Sequence, residues 1–281
     1  MWSSRTTRSS RRSRRRLSAS DHQDQDADMN LEPHNLRQIE QLNQRGGRTL
    51  SIVDLIEAGT LSVEMAACAM RAMAEGASLL TGARPGGAGK STLMGAILGL
   101  MPPEVPIVTV EGTDVIQDGL ARPASEPACY LAHEIGSGHW YGYIWGPDVA
   151  DFFSLIDGRR RISSCLHADT LGELKDILRS SPLRIEEAAV GRVGLILFIH
   201  VIPGPGARRR VVSLWEADGR GGHRQVYRWN ATSDTFEVTG QPHESSDLER
   251  YKQFVQALVD QGEAEMEAVR RQVVEFYRDG Q

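Results

Sequence analysis

The stretch from Leu79 to Thr92, LLTGARPGGAGKST, constrains this chain more than any other, because it reads as a strand, a glycine-rich turn and the start of a helix. Gly86, Gly87 and Gly89 put no Cβ between backbone and ligand. Consecutive N–H groups can therefore point at one anion, and the N-terminus of the next helix adds its partial positive charge. In a phosphate-binding loop of the form Gly-x-x-x-x-Gly-Lys-Ser/Thr, Lys90 reaches the β- and γ-phosphates and the Ser91 hydroxyl binds Mg²⁺. The cradle is then Arg84, Gly86, Gly87, Ala88, Gly89, Lys90, Ser91 and Thr92, with ATP and Mg²⁺ as ligands. Arg84 stands where the motif has its first glycine, so the turn must be made without a left-handed residue there.

Composition fits a globular chain. With 40% apolar residues over 281 positions there is material for an extensive core. No apolar run approaches a membrane span, and the N-terminus lacks the apolar stretch of a secretory signal. Cys68, Cys129 and Cys165 show no metal-ligand spacing and fit reduced thiols, which suggests a cytoplasmic protein. The net charge of −5 hides two opposite parts. Met1 to Leu17 hold seven Arg and no acid, which leaves −12 for the remainder. So acidic a body is a poor nucleic-acid binder, and nucleic acid or anionic lipid is a partner only for the Arg-rich tail.

Residues 1–30 have few apolar side chains to bury and are expected to be a disordered tail. Residues 31–245 read as one nucleotide-binding domain and 246–281 as a helical segment. Leu36, Ile39 and Leu42 share a helix face. Ser51 and Ser62 cap two short helices, Ile52 to Ala58 and Val63 to Ala74. Strands follow at Leu79, at Ile107–Glu111, at Ala128–Glu134 and, from alternating aromatics, at Trp140–Asp148. The aromatics Trp140, Tyr141, Tyr143 and Trp145 are expected to be core on one face. Ile162–Leu166 ends at His167, ahead of a helix capped by Asp169 or Thr170. Val193–Ile202 is an apolar run of the kind found in central strands, with His200 expected to be a satisfied core histidine. Arg208, Arg209 and Arg210 are expected to be solvated. After them comes a meander of short antiparallel strands, and two amphipathic helices close the chain.

The segment from Thr49 to Glu111 resembles the nucleotide-binding domain of the type II/type IV secretion-system ATPases, in order as well as composition. It has a helix pair, a short strand, the phosphate loop, a helix ending in a Pro-Pro turn and a strand closing on an acidic residue. SSCLHADTLGELKDIL is similar to that family's His box. The resemblance implies an α/β, RecA-like P-loop NTPase sheet flanked by helices, with a C-terminal β-meander and two terminal helices. It implies Glu111 in the metal shell or orienting water, His167 sensing the γ-phosphate, hexameric rings, and secretion or pilus components at the inner face of a membrane. The family's catalytic Glu position falls on Tyr143, leaving Glu134 or Asp148 as substitutes. Two readings stay open: an ATPase with a rebuilt site, or a hydrolytically weak nucleotide-binding regulator or scaffold. A small-molecule kinase and an ABC-type ATPase lack their own signatures, an Arg-rich lid and an LSGGQ-like stretch.

Overall fold

The computed structural model describes residues 31–43, 46–204, 206–241 and 247–280. The tail expected over 1–30 lies outside the described residues. Residues 31–41 form helix α1. Helices α2 (Ile52–Glu57) and α3 (Val63–Ala74) lead into β1 (Leu79–Gly82), the glycine loop and α4 (Lys90–Leu98). Then come β2 (Ile107–Thr109), α5 (Thr113–Ala121), β3 (Ala128–Leu131), β4 (Glu134–Ile135), β5 (Tyr143–Ile144), α6 (Asp148–Ser154), β6 (Arg160–Leu166), α7 (Leu171–Arg179) and α8 (Glu187–Val190). The last elements are β7 (Leu195–Ile202), β8 (Arg208–Ala217), β9 (His223–Asn230), β10 (Thr235–Val238), α9 (Leu248–Gln261) and α10 (Met266–Asp279).

The serine caps form as expected. The Ser51 side chain accepts from the Val53 N–H at 3.2 Å, and Asp54 accepts from the Ser51 N–H at 2.8 Å, a reciprocal capping box. Ser62 accepts from the Met65 N–H at 3.3 Å. Arg48 braces the same Asp54 from outside.

One sheet of eight strands runs in the order β10-β9-β8-β7-β1-β6-β3-β2. The five from β7 to β2 are parallel, and β8, β9 and β10 add to β7 as an antiparallel meander. Helices cover both faces. Successive β7 residues alternate between the two cores, Leu195, Leu197 and Ile199 with α2, α3, α4, α9 and α10, and Ile196 and Phe198 with α6, α7 and α8. The architecture is the mixed α/β sheet flanked by helices that the sequence implies. Val255, Leu258, Met266, Val269 and Val273 of the terminal helices join the first of these cores. No helix among the described residues is long and apolar enough to cross a membrane.

Among the described residues no strand lies beside the outer edge of β2. Asn35 of α1 takes the place of one: its amide donates to the Val105 carbonyl at 3.0 Å, and its Oδ1 accepts from the Ile107 N–H at 2.8 Å. His34 Nε2 meets the Ile107 carbonyl at 2.8 Å.

Four expectations are corrected. Trp140–Asp148 is not a strand, because Gly142 and Gly146 turn left-handed (φ +72° and +75°) and only Tyr143–Ile144 pairs. Trp140, Tyr141 and Trp145 are exposed at 68%, 45% and 38%, so they are not core. Arg208 and Arg209 are exposed as expected, but Arg208–Arg210 is not a turn. It opens β8, and Arg210 is buried, with Nε and Nη2 donating to Asp234 at 2.8 and 2.9 Å. His200 is half-exposed rather than a core residue, and its Nε2 lies 3.5 Å from Asp169 Oδ1.

Candidate nucleotide site

Gly89 is the N-cap of α4 and has a left-handed backbone, φ +102°; Gly87 is left-handed too, at φ +78°. These two residues make the turn between β1 and α4, and Arg84 stays outside the left-handed region, so the missing first glycine costs no strain. Arg84 is tied down from its backbone. Its N–H donates to Asp169 Oδ1 at 2.7 Å, and its carbonyl accepts from His167 Nδ1–H at 2.6 Å. That short contact with a carbonyl, which only accepts, fixes the proton on Nδ1. The start of α4 is held to β1 by Thr81, whose hydroxyl donates to the Lys90 carbonyl at 3.2 Å.

Three polar side chains meet above this loop. Lys90 is buried, at 7% side-chain exposure, and its Nζ lies 3.6 Å from Glu134 Oε2. Glu134 Oε1 lies 3.1 Å from His167 Nε2. Lys90 Nζ is 3.4 Å from His167 Nδ1. Sheet order brings them together: Leu131 of β3 sits opposite Ser163 of β6, and β6 pairs directly with β1. The residues that follow the C-terminal ends of adjacent parallel strands therefore converge, as ligand-binding residues do in open α/β sheets.

They line a cavity of about 660 Å³, the size range of small-ligand sites. Gly86 to Thr92 form its floor, and Leu50, Leu55, Ala58 and Thr60 form an apolar wall. Cys165 and Tyr143 also line it. Burial raises the Cys165 thiol to about 12, which keeps it protonated and unsuited to nucleophilic chemistry.

Of the sequence candidates, Arg84, Gly86–Thr92, Glu134 and His167 are brought together. Glu111 is not. It is exposed beyond β2, where its carboxylate accepts from the Tyr141 hydroxyl at 2.7 Å, and it does not line the cavity. Burial, then this bond, raises the Tyr141 phenol to about 12. Asp148 begins α6 and accepts from the Thr113 hydroxyl at 2.9 Å, also away from the cavity. Sequence reasoning missed Arg209, which lies over the glycine loop. Its position in a run of three arginines is the one signal the sequence offers for it.

Among the described residues no group of three or more His, Cys, Asp or Glu forms a metal site by itself. Magnesium fits these residues nonetheless, because it is commonly held through phosphate oxygens, waters and one or two protein oxygens, and Ser91 offers a hydroxyl beside Lys90.

No protein-family profile and no curated protein sequence matches the chain. Solved structures similar to it include the following two. The VirB11 ATPase of the Brucella suis type IV secretion system, in complex with sulphate, is 18% identical with a TM-score of 0.43, over 60% of this chain and 55% of its own. The Legionella pneumophila ATPase DotB is 12% identical with a TM-score of 0.36, over 73% of this chain and 54% of its own. The chain thus spans a little over half the length of each structure it matches.

Proposed function

We propose that this chain binds ATP as its magnesium complex and hydrolyses it, as a relative of the secretion and pilus-assembly ATPases. One observation carries the reading: Lys90, Glu134 and His167 converge over a glycine loop whose two left-handed residues open it to an anion. Glu134 supplies the carboxylate that the resemblance places at Tyr143.

The residues divide the work by chemistry. The loop N–H groups and the N-terminus of α4 hold the phosphates. Lys90 exchanges Glu134 for phosphate oxygens when the ligand enters, which frees the carboxylate to orient a water molecule and take its proton. That water bonds to the γ-phosphorus as the bond to the bridging oxygen breaks, and ADP leaves with the electron pair. His167, held by its Nδ1 contact with the Arg84 carbonyl, turns Nε2 toward the terminal phosphate. Magnesium, when bound, neutralises charge on the β- and γ-oxygens, and Ser91 is the residue that would hold it.

Phosphate release from Mg-ATP by purified protein tests the reading. Lys90→Ala should abolish it, and release unchanged by that substitution removes the proposal. Tight nucleotide binding with background turnover in the unaltered protein would instead mark a nucleotide-binding regulator. Ring assembly and docking on secretion or pilus membrane components belong to the same reading; mass photometry with and without Mg-ATP tests the first.

A further inference from the structure

Arg208, Arg209 and Arg210 open β8 side by side, yet they do different things. Arg208 and Arg210 both donate to Asp234, at 2.9 and 2.8 Å. Arg209 has no carboxylate partner among the described residues. It reaches the phosphate loop, in the cavity that Arg208 also borders. Its Nη2 donates to the Gly87 carbonyl at 3.3 Å. Its Cδ and Nε lie 3.2 and 3.4 Å from where a Cβ on Gly89 would sit. An exposed, unneutralised guanidinium thus lies across the two left-handed glycines and lines the same cavity.

The sheet gives that cavity a direction. Glu134 and His167 follow β3 and β6 on one side of β1, whereas Arg209 stands on β8, beyond β7, on the other. From β6 to β8 is three strand spacings, roughly 14 Å. The apolar wall lies on the Arg209 side: the Val211 N–H donates to the Thr60 carbonyl at 2.7 Å, and Arg210 Nη1 donates to the Ala58 carbonyl at 3.2 Å. A nucleotide with its base on Leu50, Leu55 and Ala58 therefore presents its nearest phosphate to Arg209 and its farthest to Lys90, Glu134 and His167.

The geometry points to Arg209 as a binding residue for the base-proximal (α) phosphate of a nucleoside di- or triphosphate, a role that rests on the ATP-binding reading above. On ligand entry its guanidinium leaves the Gly87 carbonyl for phosphate oxygens, a stronger, charge-assisted pairing. Because di- and triphosphates share the α-phosphate, Arg209 adds affinity for both without discriminating between them. Lys90 and Glu134, at the other end, act on the terminal group.

Isothermal titration of the full chain with Mg-ATP, Mg-ADP and magnesium tripolyphosphate separates the possibilities. Arg209→Ala should weaken Mg-ATP and Mg-ADP by the same factor, about tenfold or more for a lost charge-assisted bond. Tripolyphosphate, with no base to set its direction, should lose less. Arg209→Lys should recover part of the affinity, since the charge stays but the fork does not. Far-ultraviolet circular dichroism melts of both variants should match the unaltered protein, as expected for an exposed side chain. Unchanged affinities, or a loss confined to Mg-ATP, overturn the assignment to the α-phosphate while leaving ATP binding intact. Failure of the unaltered protein to bind either nucleotide overturns the ATP-binding reading itself, and this inference with it.

Discussion

Glu134 Oε1 stands 3.1 Å from His167 Nε2, although 33 residues separate them in the chain. The pairing depends on β3 and β6 being neighbours, with the Ala132 N–H donating to the Ser163 carbonyl at 3.0 Å just before Glu134. It places a carboxylate and an imidazole on the same side of Lys90. In the proposed reaction these two groups have separable jobs. Glu134→Gln keeps the shape and loses the charge, so turnover of Mg-ATP should fall by about 10²- to 10⁴-fold, the usual contribution of a general base, while nucleotide binding persists. Single-turnover and binding measurements on the same variant check this. Full turnover in Glu134→Gln would assign the water-orienting role elsewhere.

Gly89 should tolerate no side chain. At φ +102° an L residue is strained, and its Cβ would press on Arg209 Cδ at 3.2 Å. Gly89→Ala is expected to cost about 1–2 kcal/mol of stability. It should also weaken nucleotide retention, because the loop must open to relieve the contact. Urea unfolding and equilibrium dialysis give both values. A variant as stable as the parent would mean the loop readily takes up another turn.

Acid should destabilise the fold through His133. Burial lowers this imidazole from its usual value to about 4. Above pH 6.5 the ring is uncharged in folded and unfolded chains alike, so the full stability is present there. As pH falls from 6.5 to about 4, the unfolded chain takes up the proton first, and stability is lost, by at most about 3 kcal/mol. Unfolding free energies across that window should therefore show a slope that His133→Gln reduces. An identical slope in the variant would place the acid sensitivity on other groups.

The thiols should be inert in the native state. All three cysteines are free and buried, and burial raises Cys68, Cys129 and Cys165 alike. Ellman's reagent at pH 8 should find none reacting quickly in the folded protein and three after denaturation. A fast-reacting thiol in native protein would show that a buried element opens readily.

Much of the scaffold was legible because its signals are local. Ser51, Ser62 and Thr170 each cap a helix a few residues away, and the glycines around Lys90 require a turn wherever they occur. The apolar run at Val193–Ile202 announced a strand buried on both faces for the same reason. Trp140–Trp145 misled because alternating aromatics imitate a strand's period, while the two glycines that break it need left-handed conformations that no spacing reveals. The arginine run misled differently. Whether Arg210 is solvated depends on Asp234, and that partner arrives only when β8 and β9 fold back on each other. Glu134 lay between these cases. Its residue type made it a candidate, but its distance from Lys90 is set by the order of three strands.

Asn35 lends a single amide to the outermost parallel strand, standing in for a neighbour that β2 lacks among the described residues. A sheet margin left bare is a template for pairing with another molecule. The first described helix closes that template, with His34, Asn35 and Gln38 all reaching β2 or the residues just before it, so loosening α1 should reveal itself as self-association at high protein concentration.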